Sequence, residues 1–213
     1  MKKKRVGVRL FKAFVLCILL LGIVGVAAGG VFVKHVIDNT PEVTAKDILP
    51  QGYTTSIVDQ NGTVLEQLKD SDSNRVYKKY DEISKYMGDA FVAIEDERFY
   101  KHNGIDLQGI IRAGVVGVTH GFHFTEGAST LTQQLIKNNV FPNFVNETNS
   151  ERFERKIQEQ YLALKIEKQM SKKEILEAYM NTINLGQGCL GVQTAAKRYF
   201  NKDAADLTLS ECA

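Results

Sequence analysis

Residues 148–183 read TNSERFERKIQEQYLALKIEKQMSKKEILEAYMNTI. Two helix starts are written into this stretch. Thr148-x-x-Glu151 and Ser171-x-x-Glu174 are both capping boxes, in which a hydroxyl and a carboxylate satisfy the first free N–H groups of a helix. The first predicts a helix running to about Met170, with Phe153, Ile157, Tyr161 and Leu164 as its buried stripe. The second predicts a helix whose inner face carries Ile175, Tyr179 and Ile183. Two capped amphipathic helices in succession make a mainly helical body.

Working outward, the same period extends in both directions. Leu190–Phe200 predicts a further helix, opened by Gly188 and Gly191. Residues 207–213, LTLSECA, look like the first turn of another, so the module is expected to be C-terminally truncated. Toward the N-terminus, Ser129–Asn138, Leu107–Val118 and Tyr86–Arg98 suit helices, the last with Phe91, Ile94 and Met87 on one side. Residues 119–128, THGFHFTEGA, form a Gly-punctuated loop. The pattern changes only at Tyr53–Asp59 and Thr63–Lys69, two β-rich runs around Gln60-Asn61-Gly62, which predict a hairpin.

The chain has 213 residues, 44% hydrophobic and 24% charged, with no tryptophan, a globular composition. Lys2, Lys3, Lys4, Arg5, Arg9 and Lys12 precede the uncharged run Ala13–Val33, AFVLCILLLGIVGVAAGGVFV. About 20 apolar residues cross a bilayer as a helix. The run exceeds the usual h-region of a cleaved signal peptide, and the basic flank places the N-terminus in the cytoplasm. The expected organisation is a cytoplasmic segment 1–12, an anchor 13–33, a linker 34–52 broken by Pro41 and Pro50, and a domain 53–213. After the basic flank 21 basic residues face 25 acidic ones, which argues against nucleic-acid binding. Cys17 lies in the apolar run. Cys189 and Cys212 have no metal-type spacing and read as free thiols.

Three groups of residues could carry chemistry. Glu95 and Asp96 are adjacent carboxylates leaving an apolar helix; partial desolvation would suit a general base or acid, and a solvated helix end fits them as well. Gly127-Ala128-Ser129-Thr130-Leu131-Thr132-Gln133-Gln134 sets hydroxyls and amides behind a Gly-rich loop that can face an anion, with Lys137 one turn after Gln133. An ordinary helix start is equally compatible. Arg155, Lys156 and Glu159 could hold a pyrophosphate or form a surface ion pair.

These residues resemble family 51 glycosyltransferases, the peptidoglycan-polymerising module of class A penicillin-binding proteins and monofunctional transglycosylases. The stretches that carry the resemblance are Ala93–Asp106 (AIEDERFYKHNGID), Gly127–Gln134, Arg155–Glu159, Lys173–Asn181 and Gly191–Lys202, five motifs in order. One departure is Glu151, where many members have a basic residue; Arg152 lies beside it.

The resemblance implies a lysozyme-like, mainly α fold with a small N-terminal β-hairpin after one transmembrane helix. It also implies that the Leu107–Phe124 region dips into the bilayer; Ile105, Leu107, Ile110, Ile111, Val115, Val116, Phe122 and Phe124 read independently as an apolar patch, or as a buried core helix. Glu95 falls on the family's catalytic glutamate and Glu159 on a second acidic residue that could orient the pyrophosphate or a divalent ion, Mg or Mn; no organic cofactor is implied. Gly127, Ser129, Thr130, Gln133, Gln134, Lys137, Arg155 and Lys156 become the expected substrate-binding residues.

The implied substrate is lipid II, polymerised into β-1,4 glycan at the membrane, with cell-wall or division proteins as partners. Neither Ser-x-x-Lys nor Lys-Thr-Gly occurs, and a transpeptidase could follow in a longer protein. A lytic muramidase and a non-catalytic anchored scaffold are the competing readings.

Overall fold

A computed structural model describes residues 2–68, 74–120, 127–141 and 144–213. The chain divides into two compact units, residues 1–41 and 42–213. The first is helix α1, Lys2–Asp38. Its segment Phe11–Asp38 is long and apolar enough to cross a membrane. The stretch 34–52, read from sequence as a linker, starts as the last residues of α1; Val43 and Ile48, further on, belong to the core of the second unit.

The second unit opens with the expected hairpin. Strands β1 (Thr55–Val58) and β2 (Val64–Leu68) pair antiparallel, with Ile57 opposite Glu66. Asp59 closes the turn: one carboxylate oxygen accepts from the N–H groups of Asn61 and Thr63, both at 2.8 Å. Those bonds favour the charged carboxylate and lower its pKa, the Thr63 N–H contributing most. Gly62, at φ +83°, supplies the left-handed position such a turn needs.

The remainder is helical: α2 (Lys85–Glu95), α3 (Leu107–Thr119), α4 (Leu131–Val140), α5 (Asn149–Ile166), α6 (Lys172–Thr182), α7 (Val192–Phe200) and the short α8 (Leu209–Cys212). Both predicted capping boxes form. Thr148 Oγ1 accepts from Glu151 N at 3.3 Å while Glu151 Oε2 accepts from Thr148 N at 2.7 Å. Ser171 and Glu174 make the same pair of bonds at 3.3 and 2.7 Å. Helix α4 is the hub. Its Leu131, Leu135 and Ile136 are fully buried, packed in one core with Leu162, Ala163 and Ile166 of α5 and Ile175, Leu176, Tyr179 and Met180 of α6.

Two helices depart from their predicted form. Helix α2 stops at Glu95 rather than Arg98, because Asp96 turns inward and is buried. Ile94, expected on the inner side, is 81% exposed, whereas Met87 is buried as expected. On α5 the predicted stripe is only partly met: Phe153 is 61% and Leu164 41% exposed, while Ile157 and Tyr161 are half-buried and Tyr161 packs against the core. The buried face is instead Arg155, Glu159, Leu162, Ala163 and Ile166. Charged residues lead that face, so a pattern of apolar residues alone points to the wrong side of the helix.

Helix α3 has an unusual distribution. Its buried positions are the small residues Gly109, Ala113 and Gly117, while Leu107, Ile111, Val115 and Val118 are exposed. The core-helix reading of this segment is therefore not met. Phe122 and Phe124 lie outside the described residues.

The close approach of the 96–106 loop to α5 depends on Gly104, at φ +94°. A Cβ there would lie 2.8 Å from the backbone carbonyl carbon and oxygen of Ala163. Gly104→Ala combines a left-handed penalty with overpacking against backbone, and is expected to cost about 2–4 kcal/mol. Urea unfolding of the isolated variant measures this, and a midpoint equal to wild type would contradict the tight packing.

Candidate active site

Glu95 is the last residue of α2 and is exposed. It is thus reachable from solvent rather than desolvated; the buried member of the acidic pair is Asp96. One Asp96 oxygen accepts the N–H of Leu131, the first residue of α4, at 3.0 Å. The same carboxylate meets Nε2 of His102 at 2.9 Å. His102 Nδ1 accepts from Gly104 N at 3.1 Å, which fixes the ring with Nε2 as its donor toward Asp96.

The Gly-rich stretch is held on the other side of this joint. Thr130 caps α4, accepting from Gln133 N at 3.2 Å, and donates its own hydroxyl to Gly104 O at 2.9 Å. Gln133 Nε2 donates to the same carbonyl at 3.0 Å. Thr130 and Gln133, expected among the substrate-binding residues, are therefore buried braces between two loops. Gly127 and Ser129 remain on the surface of a polar cleft of about 140 Å³ that also includes Glu95, Arg98, Asp106 and Arg112.

Gln134 points toward Glu95. Its Nε2 donates to Glu95 Oε2 at 2.8 Å, and its Oε1 accepts from the hydroxyl of Tyr179 on α6 at 3.1 Å. The other Glu95 oxygen has no hydrogen-bond partner among the described residues.

Behind Ser129 lies the charged face of α5. Glu159 is fully buried. One of its oxygens pairs with Nη1 of Arg155 and the other with Lys156 Nζ at 2.7 Å. Lys156 also donates to Ser129 Oγ at 2.9 Å, which ties α5 to the Gly-rich stretch. Arg155 Nε donates to Glu147 at 2.7 Å. Lys137 lies 4.8 Å from the centre of the Phe144 ring. Burial pulls the Lys137 pKa down; Glu159 partly opposes this, and Lys156 and Arg155 reinforce it. These residues form an internal ion network, not the surface pair that was the bland reading of the sequence.

Glu159 is the expected metal ligand, and the donor set around it does not fit. Both of its oxygens already meet cations, and no cluster of three His, Cys, Asp or Glu occurs among the described residues. The local charge is supplied by Lys137, Arg155 and Lys156.

The model of the Transglycosylase family matches residues 61–213, most of the chain. The chain belongs to this family. Among curated relatives it is similar to penicillin-binding protein 1A of Clostridium perfringens, 42% identical over 208 residues, covering 96% of this chain and 30% of that protein. Penicillin-binding protein 1A of Clostridium botulinum is 40% identical over 216 residues, covering 100% and 25% respectively. That of Clostridium acetobutylicum is 41% identical over 206 residues, covering 95% and 25%. The chain therefore spans less than a third of the length of the relatives it matches. With its apolar N-terminal helix, this transglycosylase is a membrane-anchored protein.

Three site features escaped the sequence reading. Tyr179 was assigned to the core for its ring, and its hydroxyl partner on α4 has no sequence signature. His102 lay within a quoted motif without a task. Glu147 lies before the Thr148 cap and was not singled out.

The ion network sets a stability test. Arg155→Met leaves Glu159 buried with Lys156 alone and is expected to cost about 3 kcal/mol. The double variant Arg155→Met, Glu159→Leu should recover part of that loss in urea unfolding. Equal stability of Arg155→Met and wild type would show that the network is not holding α5.

Proposed function

We propose that the chain is a peptidoglycan glycosyltransferase that polymerises lipid II into β-1,4 glycan chains. The observation that carries this reading is the pairing of an exposed carboxylate, Glu95, with a compact cationic group behind the Gly-rich stretch. The acceptor GlcNAc 4-hydroxyl gives its proton to Glu95. The resulting oxygen attacks C1 of the donor MurNAc from the face opposite the leaving group, so the centre inverts. The C1–O bond breaks, and its electron pair leaves on undecaprenyl pyrophosphate.

Negative charge grows on that pyrophosphate as the bond breaks. Lys137, Arg155 and Lys156 supply preorganised positive charge for it, with Gly127 and Ser129 lining the adjacent cleft. Glu159 pairs with both Arg155 and Lys156, and Lys156 reaches Ser129 at the edge of the cleft. The Glu159 oxygens are already engaged by Arg155 and Lys156, so the positive charge here comes from side chains. A muramidase releases a sugar hydroxyl instead of a pyrophosphate and has no need of three cations there.

The substrate's lipid keeps it in the bilayer. The outward Leu107, Ile111, Val115 and Val118 of α3 supply an apolar face suited to that surface. The basic residues before the anchor favour a cytoplasmic N-terminus and an extracellular or periplasmic domain. The relatives are named penicillin-binding proteins and are more than three times as long, which supports reading the chain as part of a bifunctional protein working with other cell-wall or division proteins.

Glu95→Gln tests the central role. It retains shape and removes the base, so polymerisation of lipid II should fall by roughly 10²–10⁴-fold with an unchanged unfolding midpoint. Full activity in that variant would remove Glu95 from the mechanism.

A further inference from the structure

We infer that Tyr179 and Gln134 form a two-residue positioning relay that holds Glu95 in its base-competent orientation. This deepens the proposed function and rests on its reading of Glu95.

The direction of each hydrogen bond is dictated by the chemistry. A carboxylate can only accept, so the face of Gln134 turned toward Glu95 must be the NH2 group. That places the amide oxygen toward Tyr179, whose hydroxyl donates to it at 3.1 Å. Reversing the amide would set two acceptors, the amide oxygen and the carboxylate, against each other. The Glu95 carboxylate thus selects the amide orientation, and the Tyr179 hydroxyl holds it by donating to the amide oxygen.

Tyr179 is suited to be a fixed donor. It is fully buried, and its ring packs edge-on against Phe91 of α2 at 5.3 Å between centroids. Burial first, and then the nearby Glu95 charge, push its pKa well above the usual phenol value, so it stays protonated at any working pH. Phe91 lies one turn before Glu95 on the same helix. The ring therefore sets the position of α2 while the hydroxyl sets the amide that meets its last residue. The relay bonds only one Glu95 oxygen and leaves the other for the acceptor hydroxyl.

Charged groups of other elements also surround Glu95. Asp96, Glu97, Arg98, Asp106 and Arg112 share its polar cleft, Glu211 lines the apolar pocket on its other side, and Lys137 acts on it electrostatically from α4. None is altered by deleting the Tyr179 hydroxyl, so Tyr179→Phe reads the relay alone.

The experiment compares wild type, Tyr179→Phe, Gln134→Leu and the double variant in two ways. Lipid II polymerisation gives kcat and KM separately. Far-UV circular dichroism melting shows whether each variant keeps its fold. Each single variant should lower kcat about tenfold, the value of one hydrogen bond to a charged group, with KM within about twofold. The loss should fall on kcat because the relay aims the base without forming the bound complex.

The double variant should be no worse than Gln134→Leu, since Tyr179 acts through that amide. Gln134 is outside the core, so Gln134→Leu still decides the matter if Tyr179→Phe fails to fold. A wild-type kcat in a folded Gln134→Leu, a raised KM with unchanged kcat, or additive losses in the double variant would overturn the relay. If Glu95→Gln is inactive while these variants match wild type, only the relay fails. If Glu95→Gln stays active, the assignment of the base fails with it.

Discussion

The Asp96 carboxylate is the joint on which the rest of the site depends. It ends α2 and begins α4 at one buried point, because the same group that breaks the first helix accepts the first free N–H of the second. A buried carboxylate is expensive unless its oxygens are filled, and here His102 and Leu131 fill them. This one arrangement leaves Glu95 at the exposed edge of α2 and brings Gln134 within hydrogen-bond distance of it. The Gly104 carbonyl, accepting from Thr130 and Gln133, locks the same loop from the far side.

Adjacent residues of like chemistry consequently carry opposite tasks. Glu95 is open to solvent and keeps one oxygen without a partner among the described residues; Asp96 is enclosed, with both oxygens engaged. The same division recurs one layer behind. Glu159, fully buried, pairs with Arg155 and Lys156, and Lys156 reaches forward to Ser129. Buried carboxylates thus organise the site around the exposed Glu95.

The parts legible in the sequence were local. Thr148–Glu151 and Ser171–Glu174 are each complete within four residues, and the 59–63 turn needs only Asp59 and Gly62; such signals survive without knowledge of the fold. The apolar run of α1 is legible for the same reason. The inner face of α5 was not, because Arg155 and Glu159 head it and hydrophobic periodicity discounts charged residues. The early end of α2 was hidden likewise, since Asp96 stops it through a bond to Leu131, 35 residues away. Motif resemblance recovered which residues belong together, but not which of them face inward. Thr130 and Gln133, expected at the substrate, are buried and brace two loops, and Thr130 also lines the cleft.

This distinction between belonging to a motif and facing the substrate follows from the demands on a general base. Such a group must be accessible, yet an accessible side chain at a helix end has rotational freedom that would blur its aim. Burying it would remove the freedom along with the access. The arrangement around Glu95 separates the two requirements. The carboxylate itself stays in the cleft, and the restraint on it is delegated to Gln134, which is in turn fixed by a phenol that never leaves the core. A strongly patterned motif next to a single exposed acid is then what this chemistry requires, because most of its residues are needed to aim one side chain rather than to touch what it acts on.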